Sequence, residues 1–312
     1  MRFTRVLGLV AAFAAVAASA VSAGGSAFSG SITSDGSSTL GPYVTAAAEG
    51  FQKKNPRARV TVGISGTGGG FQRFCKGEID IANASRVIRQ ATEARACKDA
   101  GISYIAFAAA NDGISIVTNQ ENTWARCLTM AELKKIWEPG SKIDNWKDLR
   151  PGFPDVRMRL FGPGTDSGTF DFFTEHVNGR ARASRTDYQA SEDDNVLVQG
   201  VAGERGGLAY FGLSYYEENK DKLNVVALDK GSGCVSPNTR TVQSRAYPIS
   251  RGLYMYVKKT SFARGTVQGF IDYVLDNEKA IAVKADFVPL TKKQLKNAKR
   301  LFKYAVLNAN RS

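Results

Sequence analysis

The sequence holds a single histidine, His176, in 312 residues. A metal centre or an imidazole-activated nucleophile therefore has one imidazole to draw on. The four cysteines, Cys75, Cys97, Cys127 and Cys234, nowhere stand in C-x-x-C spacing, which argues against a zinc site. No G-x-x-x-x-G-K-[ST] run occurs, so a phosphate-transfer P-loop is excluded. Beyond the N-terminus no segment is apolar for long enough to span a bilayer. No internal repeat of about 20–50 residues and no low-complexity linker divides the chain. A basic stripe with interleaved aromatics is also missing, which leaves nucleic-acid binding without support.

What is present begins with Arg2 and Arg5, followed by an apolar run over residues 6–21. Ala18-Ser19-Ala20 and Val21-Ser22-Ala23 both offer an A-x-A-like cleavage site, so residues 1–23 read as a secretory signal peptide. No cysteine lies nearby to carry a lipid, and the mature protein is expected to be secreted and soluble. The remaining length suffices for two modest lobes. The net charge is +13, of which Arg2 and Arg5 leave with the leader. Such a balance suits an anionic ligand or an anionic surface, or simply solvated Lys and Arg. The one local concentration, Lys292-Lys293 with Lys296 and Lys299-Arg300, reads as the solvent face of a late helix.

Short β-rich runs alternate with helical patterns, which argues for an α/β protein with largely parallel sheets. A first series includes strands over 31–34, 59–64, 79–84 and 104–110, and helices over 39–54, 69–76 and 91–100. A turn at Asn111-Asp112-Gly113 opens a second series, beginning with a strand over 114–119. Another turn at Pro248-Ile249-Ser250 precedes a return strand over 251–258. Two crossings without a linker predict a discontinuous first lobe, 24–112 plus 250–312, and a second lobe, 113–249. Four cysteines in an exported chain predict disulfides, with three pairings open. Cys75–Cys97 and Cys127–Cys234 are favoured because each pair then falls within one lobe.

Three segments share one local design: Asp35-Gly36-Ser37-Ser38-Thr39, Gly66-Thr67-Gly68-Gly69-Gly70-Phe71 and Gly164-Thr165-Asp166-Ser167-Gly168-Thr169-Phe170. Each places hydroxyls and small residues between a strand and a helix. There the first backbone N–H groups lack intrahelical acceptors and the helix dipole favours negative charge. Glycine lets backbone approach a ligand, so such loops make oxyanion sites. Ordinary N-capping by Ser, Thr or Asp is the competing explanation for each. Ala84-Ser85-Arg86 adds a guanidinium at a strand end, where ligands gather in open α/β sheets. A surface ion pair is its alternative. Ser191-Glu192-Asp193-Asp194-Asn195 opens another helix, where acidic first-turn residues are common.

These segments resemble the periplasmic phosphate-binding proteins of phosphate ABC transporters, the PstS family. The most specific stretch runs from Gly162 to Asp171, supported by Ser191 to Ala202, Ile79 to Arg86 and Asp35 to Thr39. The resemblance implies a two-lobed type II periplasmic binding protein fold, each lobe a mainly parallel sheet flanked by helices, with two crossovers. It implies a monomer without cofactor that binds inorganic phosphate between the lobes, delivers it to an inner-membrane ABC permease and catalyses nothing. Carried over by position, the family's contacts fall on Ser38, Thr39, Thr67, Ser167, Gly168 and Thr169, with Ser85 beside them. Two departures stand out. The best-known branch has Ala-Ser-Asp after the third strand, its aspartate accepting the phosphate proton, where this chain has Arg86. It also has an arginine where this chain has Pro163. The expectation is that Arg86 supplies the cation and that Asp35, Asp166 or Asp194 accepts the proton. Sulfate, molybdate or phosphate-ester hydrolysis remain the alternatives.

Overall fold

The computed structural model describes residues 28–165 and 167–309. The leader over residues 1–23 and Asp166 lie outside the described residues. Chain order begins β1 (Gly30–Gly36), α1 (Gly41–Lys54), β2 (Ala58–Val62), α2 (Gly66–Cys75), β3 (Ile81–Ala84), a π-helical turn (Gln90–Ala94), α3 (Arg95–Asp99) and β4 (Tyr104–Asn119). It continues with β5 (Cys127–Thr129), α4 (Met130–Trp137), α5 (Trp146–Leu149), β6 (Arg159–Gly162), α6 (Gly168–Asn178), β7 (Gln189–Ala190), α7 (Asp194–Gly203), β8 (Gly207–Gly212), α8 (Leu213–Glu218), β9 (Leu223–Asp229), β10 (Cys234–Val235) and α9 (Thr239–Gln243). The chain returns through β11 (Ser250–Lys258) and closes with α10 (Gly265–Asp276), α11 (Glu278–Lys284) and α12 (Lys292–Asn308).

Side-chain pattern explains where each strand sits. In β2, buried Ala58 and Val60 alternate with exposed Arg59 and Thr61, as suits a sheet edge with one dry face. In β3 all four residues are buried, as suits a central strand covered on both faces. The sheet order is β2-β1-β3-β11-β4-β8-β6-β7, with β9 also on β4. Pairing within the lobes is largely parallel: β1 with β2 and β3, β6 with β7 and β8, β5 with β9. The long strands β4 and β11 run antiparallel to each other and to their neighbours β3, β8 and β9, so each sheet is mixed rather than purely parallel.

Apolar side chains gather into separate cores. Helices α1, α10 and α11 cover one face of the first sheet through Val44, Phe51, Phe270 and Ile281, with Phe51 and Phe270 edge to face at 5.5 Å. Phe71, Phe74, Ile88 and Tyr256 fill the opposite face. The second sheet packs Trp137, Trp146, Phe173 and Tyr210 on one side, the last two stacked at 3.7 Å, and Phe161, Leu197 and Phe211 on the other. Cys75–Cys97 joins the end of α2 to α3, and Cys127–Cys234 joins β5 to β10, so both favoured pairings are present. Among the described residues no helix is long and apolar enough to cross a membrane.

Three local expectations change. Asn111-Asp112-Gly113 is no turn: β4 runs unbroken through it because these residues pair with Gly252, Arg251 and Ser250 of β11. Gly113 is needed there because a Cβ would lie 2.4 Å from a methyl of Val242. The expected helix over 91–100 is split into the π-helical turn and α3. Glu93 sits in that turn, its carboxylate bonding the Arg89 N–H at 2.9 Å and the Arg86 guanidinium. Finally, α2 starts at Gly66 rather than Gly69, which puts Thr67 inside its first turn.

Candidate functional site

The ends of β1, β2 and β3 deliver α1, α2 and the Ser85-Arg86 segment to one wall of a cleft of about 720 Å³. Ser38, Thr39, Thr67, Ser85 and Arg86 line it on that side, and Asp171, Phe172, Glu175 and His176 of α6 line it on the other. Arg251 of β11 lies between them.

The capping alternative can be judged helix by helix. Neither α1, with Leu40 at its N-cap, nor α2, with Ser65, has a side chain accepting from its first turn. At α2, Gly66, Thr67 and Gly68 line the cleft, so its leading N–H groups are offered there without a capping side chain, as an anion cradle requires; at α1 the Gly41 N–H is taken by the Ser37 and Ser38 carbonyls and Pro42 has none, so that helix contributes its dipole and the Ser38-Thr39 segment before it. Helix α6 differs. Ser167 Oγ accepts from the Thr169 and Phe170 N–H groups at 3.1 and 3.4 Å, so capping accounts for that hydroxyl. Ser167 and Thr169 are half-buried at the start of α6 and do not line the cleft.

The hydroxyls on the first wall are tied together. Thr67 Oγ1 accepts from the Ser85 N–H at 3.2 Å and lies 3.0 Å from Ser85 Oγ. Thr39 Oγ1 donates to the Gly168 carbonyl at 3.2 Å, a direct contact between the two walls. Gly168 has to be glycine here, because a Cβ would stand 2.7 Å from the Thr39 backbone nitrogen.

Arg251 is the charged centre of the cleft floor. Its Nε donates to Asp112 Oδ2 at 3.0 Å and its Nη2 to Thr39 Oγ1 at 2.8 Å. The guanidinium lies 3.6 Å from the Phe172 ring centroid, a close cation–π stack. Burial pulls its pKa down and Asp112 opposes that, but an arginine stays charged regardless. Its Nη1 makes no hydrogen bond with the described residues, which leaves a donor for a ligand. Sequence reasoning missed this residue. The available signal was a charge between Ser250 and Gly252, ahead of the apolar run Leu253–Val257 of the return strand.

Arg86 occupies the cleft wall, but its guanidinium is held by both Glu93 oxygens at 2.8 and 2.6 Å and lies 5.7 Å from the Phe71 ring centroid. The Glu93 bond raises the Arg86 pKa; burial works against ionised Glu93, yet Arg86 and the Arg89 N–H hold its carboxyl below the usual range.

The carboxylates named from sequence lie elsewhere. Asp35 is buried behind α2, accepting from Gly36 N at 2.6 Å, from Ser65 N at 3.0 Å and from Arg73. Burial raises its pKa, but Arg73 and these N–H groups win and keep it ionised. It fixes the start of α2 and does not line the cleft. Asp194 also stands apart from the cleft; burial, reinforced by Asp286, Asp193 and Glu192, pushes its pKa up to about 7. Asp171 and Glu175 are the acidic residues on the cleft wall. His176, also on that wall, has its pKa lowered by burial and by Lys230.

Two helix N-termini free of side-chain caps, a buried arginine with a free amino group and a ring of hydroxyls form an oxyanion-binding arrangement. Known proteins carry the same framework. The family model for the PBP superfamily domain matches residues 21–278. Protein SphX of Synechococcus elongatus is 44% identical over 276 residues, 87% of this chain and 81% of that protein. Phosphate-binding protein PstS of Staphylococcus saprophyticus is 38% identical over 302 residues, 94% of this chain and 92% of that one. A possible phosphate binding protein from Planctomyces limnophilus superposes with a TM-score of 0.86 at 43% identity, covering 89% of this chain and 99% of that one. An ABC-type phosphate transport receptor from Vibrio cholerae, at 21% identity and a TM-score of 0.66 over 82% of this chain and 99% of its own, shares the fold. A type II two-lobed fold, an uncapped pair of helix N-termini on the cleft and this degree of identity together make the chain a member of the PstS family of phosphate-binding proteins, within the PBP superfamily.

Proposed function

We propose that this protein is an exported receptor that captures inorganic phosphate between its lobes and hands it to an ABC permease, without chemistry of its own. The observation that carries this reading is the meeting of α1 and α2, both without side-chain caps, with the buried guanidinium of Arg251. A small dianion there gains backbone N–H groups, hydroxyls and one charge-assisted bond in a place removed from water. We assign residues 24–112 and 250–312 to lobe one and 113–249 to lobe two, residues 1–23 to a cleaved leader, and the mature protein to the periplasm as a monomer. The separate apolar cores on either side of β4 and β11 support the division.

We further assign Asp171 as the acceptor of the phosphate proton. It lies on the cleft wall one turn into α6, whereas Asp35 and Asp194 do not reach the cleft. Phosphate near neutral pH keeps a proton to donate and sulfate has none, so a carboxylate here favours the first and repels the second. Titration calorimetry with phosphate, sulfate and molybdate tests the reading. Phosphate should bind far below millimolar and sulfate much more weakly; equal affinities, or millimolar phosphate binding, would refute it. Asp171→Asn should shrink the phosphate preference by roughly tenfold or more. The hydrolase alternative predicts steady release of product from a chromogenic phosphate ester, where the receptor reading predicts none.

A further inference from the structure

Away from the cleft, the most one-sided charge in the molecule is on α12. Its 17 residues carry Lys292, Lys293, Lys296, Lys299, Arg300 and Lys303 and no acidic residue. All six are exposed. At about 100° per residue, they fall within a single arc of about 120° along roughly 17 Å of helix. The opposite face packs on lobe one through Ala298, Ala305, Leu295, Leu301 and Phe302. Lys299 pairs with Asp276 at 2.7 Å and Arg300 bonds only Asn297 of its own helix. Among the described residues the other four, and Arg300, have no acidic partner.

Two apolar side chains lie on this side of the helix, Leu307 within the basic arc and Tyr304 at its edge. Tyr304 is 55% exposed and Leu307 65% exposed, both near the C-terminal end. Leu307 also borders a groove between α10 and α12 that holds Phe28, the first described residue.

We propose that this face of α12 docks the protein on a membrane surface of anionic headgroups, with Tyr304 and Leu307 reaching the acyl boundary. Lysine stems can lie along such a surface while their ammonium groups meet phosphate, and a basic helix with an aromatic and a leucine on its rim is suited to that depth. Each cation near an anionic leaflet multiplies partitioning about fivefold. Cations spread evenly along a helix favour a lipid surface over a protein partner. Lipids bring mobile charge that needs no matching pattern, whereas an acidic protein would have to reproduce the spacing.

Co-sedimentation of the secreted protein with vesicles tests the proposal. Vesicles of phosphatidylcholine alone are compared with vesicles that also contain phosphatidylglycerol. Because the whole protein is basic, a charge-matched control is needed. Lys293→Glu with Lys296→Glu and Arg300→Glu alters α12; Lys134→Glu with Lys135→Glu and Lys142→Glu makes the same charge change on lobe two. The expected result is binding to the anionic vesicles alone, weakened by salt, lost about 100-fold or more in the α12 variant and little changed in the control. Absence of binding at low salt, equal binding to neutral vesicles, or equal loss in both variants would each overturn it. An unchanged thermal shift with inorganic phosphate shows that the variants are folded and keeps this test separate from that of the cleft.

Discussion

A buried arginine is costly unless its charge is balanced and its donors are used. Arg251 meets that condition through Asp112, Thr39 and the face of Phe172, with its last amino group left to the cleft. Arg86, tied to Glu93 and more exposed, has its charge already matched. Arg251→Ala should therefore cost phosphate affinity roughly 2–5 kcal/mol. Arg86→Ala should cost less than about 1 kcal/mol. Calorimetry on both variants checks the ranking, and the reverse order would return the central role to Arg86. Asp194 gives a pH signature of unusual sign. Its folded pKa is raised to about 7, so folding favours its protonated form. The penalty for ionising it is absent below its unfolded value, grows through the interval between, and is full above about pH 7. Thermal stability should fall as pH rises from 6 to 8, and Asp194→Asn should flatten that slope and raise Tm at pH 8 by about 3 °C or more. An unchanged slope would show that the carboxyl is ionised in the fold. Legibility at this scale follows sequence distance. Thr39 and Thr67 were readable because a hydroxyl beside a helix N-terminus is a local pattern, and Ser85 because it follows a strand end in a segment that resembles the family's. Arg251 was not, because its partners Asp112 and Thr39 lie 139 and 212 residues away.

Among the elements, α1, α2 and α6 looked alike in sequence and differ in the structure. Ser167 spends its oxygen on capping α6, while α1 and α2 have no such side chain. Residue type alone cannot separate these cases, since the same serine or threonine serves either role and only its rotamer decides. What α6 contributes instead is a bare backbone: Gly168 comes close enough to Thr39 for a hydrogen bond between walls. Gly168→Ala would force its methyl group into the Thr39 backbone. We expect that variant to lose most of its phosphate affinity while its Tm without ligand changes little, because the clash lies between lobes rather than inside a core. A large drop in Tm without ligand would instead make the contact part of the resting fold. The strands show the same limit of local reading. Asn111-Asp112-Gly113 has turn composition, yet cross-strand pairing with β11 outweighs that preference and keeps β4 extended.

For the whole molecule, alternation of strand and helix was enough to give the class and the expectation of two crossings, because that pattern repeats along the entire chain. It could not show that the crossing strands are antiparallel, since register and direction depend on pairs far apart in sequence. The same strands have a mechanical consequence. A joint made of two hydrogen-bonded strands turns about a fixed line, as a door does on its pin, and Arg251 with Asp112 is mounted on that line. A charge on the pin hardly moves when the door swings. Incoming phosphate would therefore meet it while the lobes stand apart, before any closure. We expect the arginine to be felt in the association rate, and stopped-flow mixing should show Arg251→Lys preserving that rate and its salt dependence while Arg251→Ala lowers both.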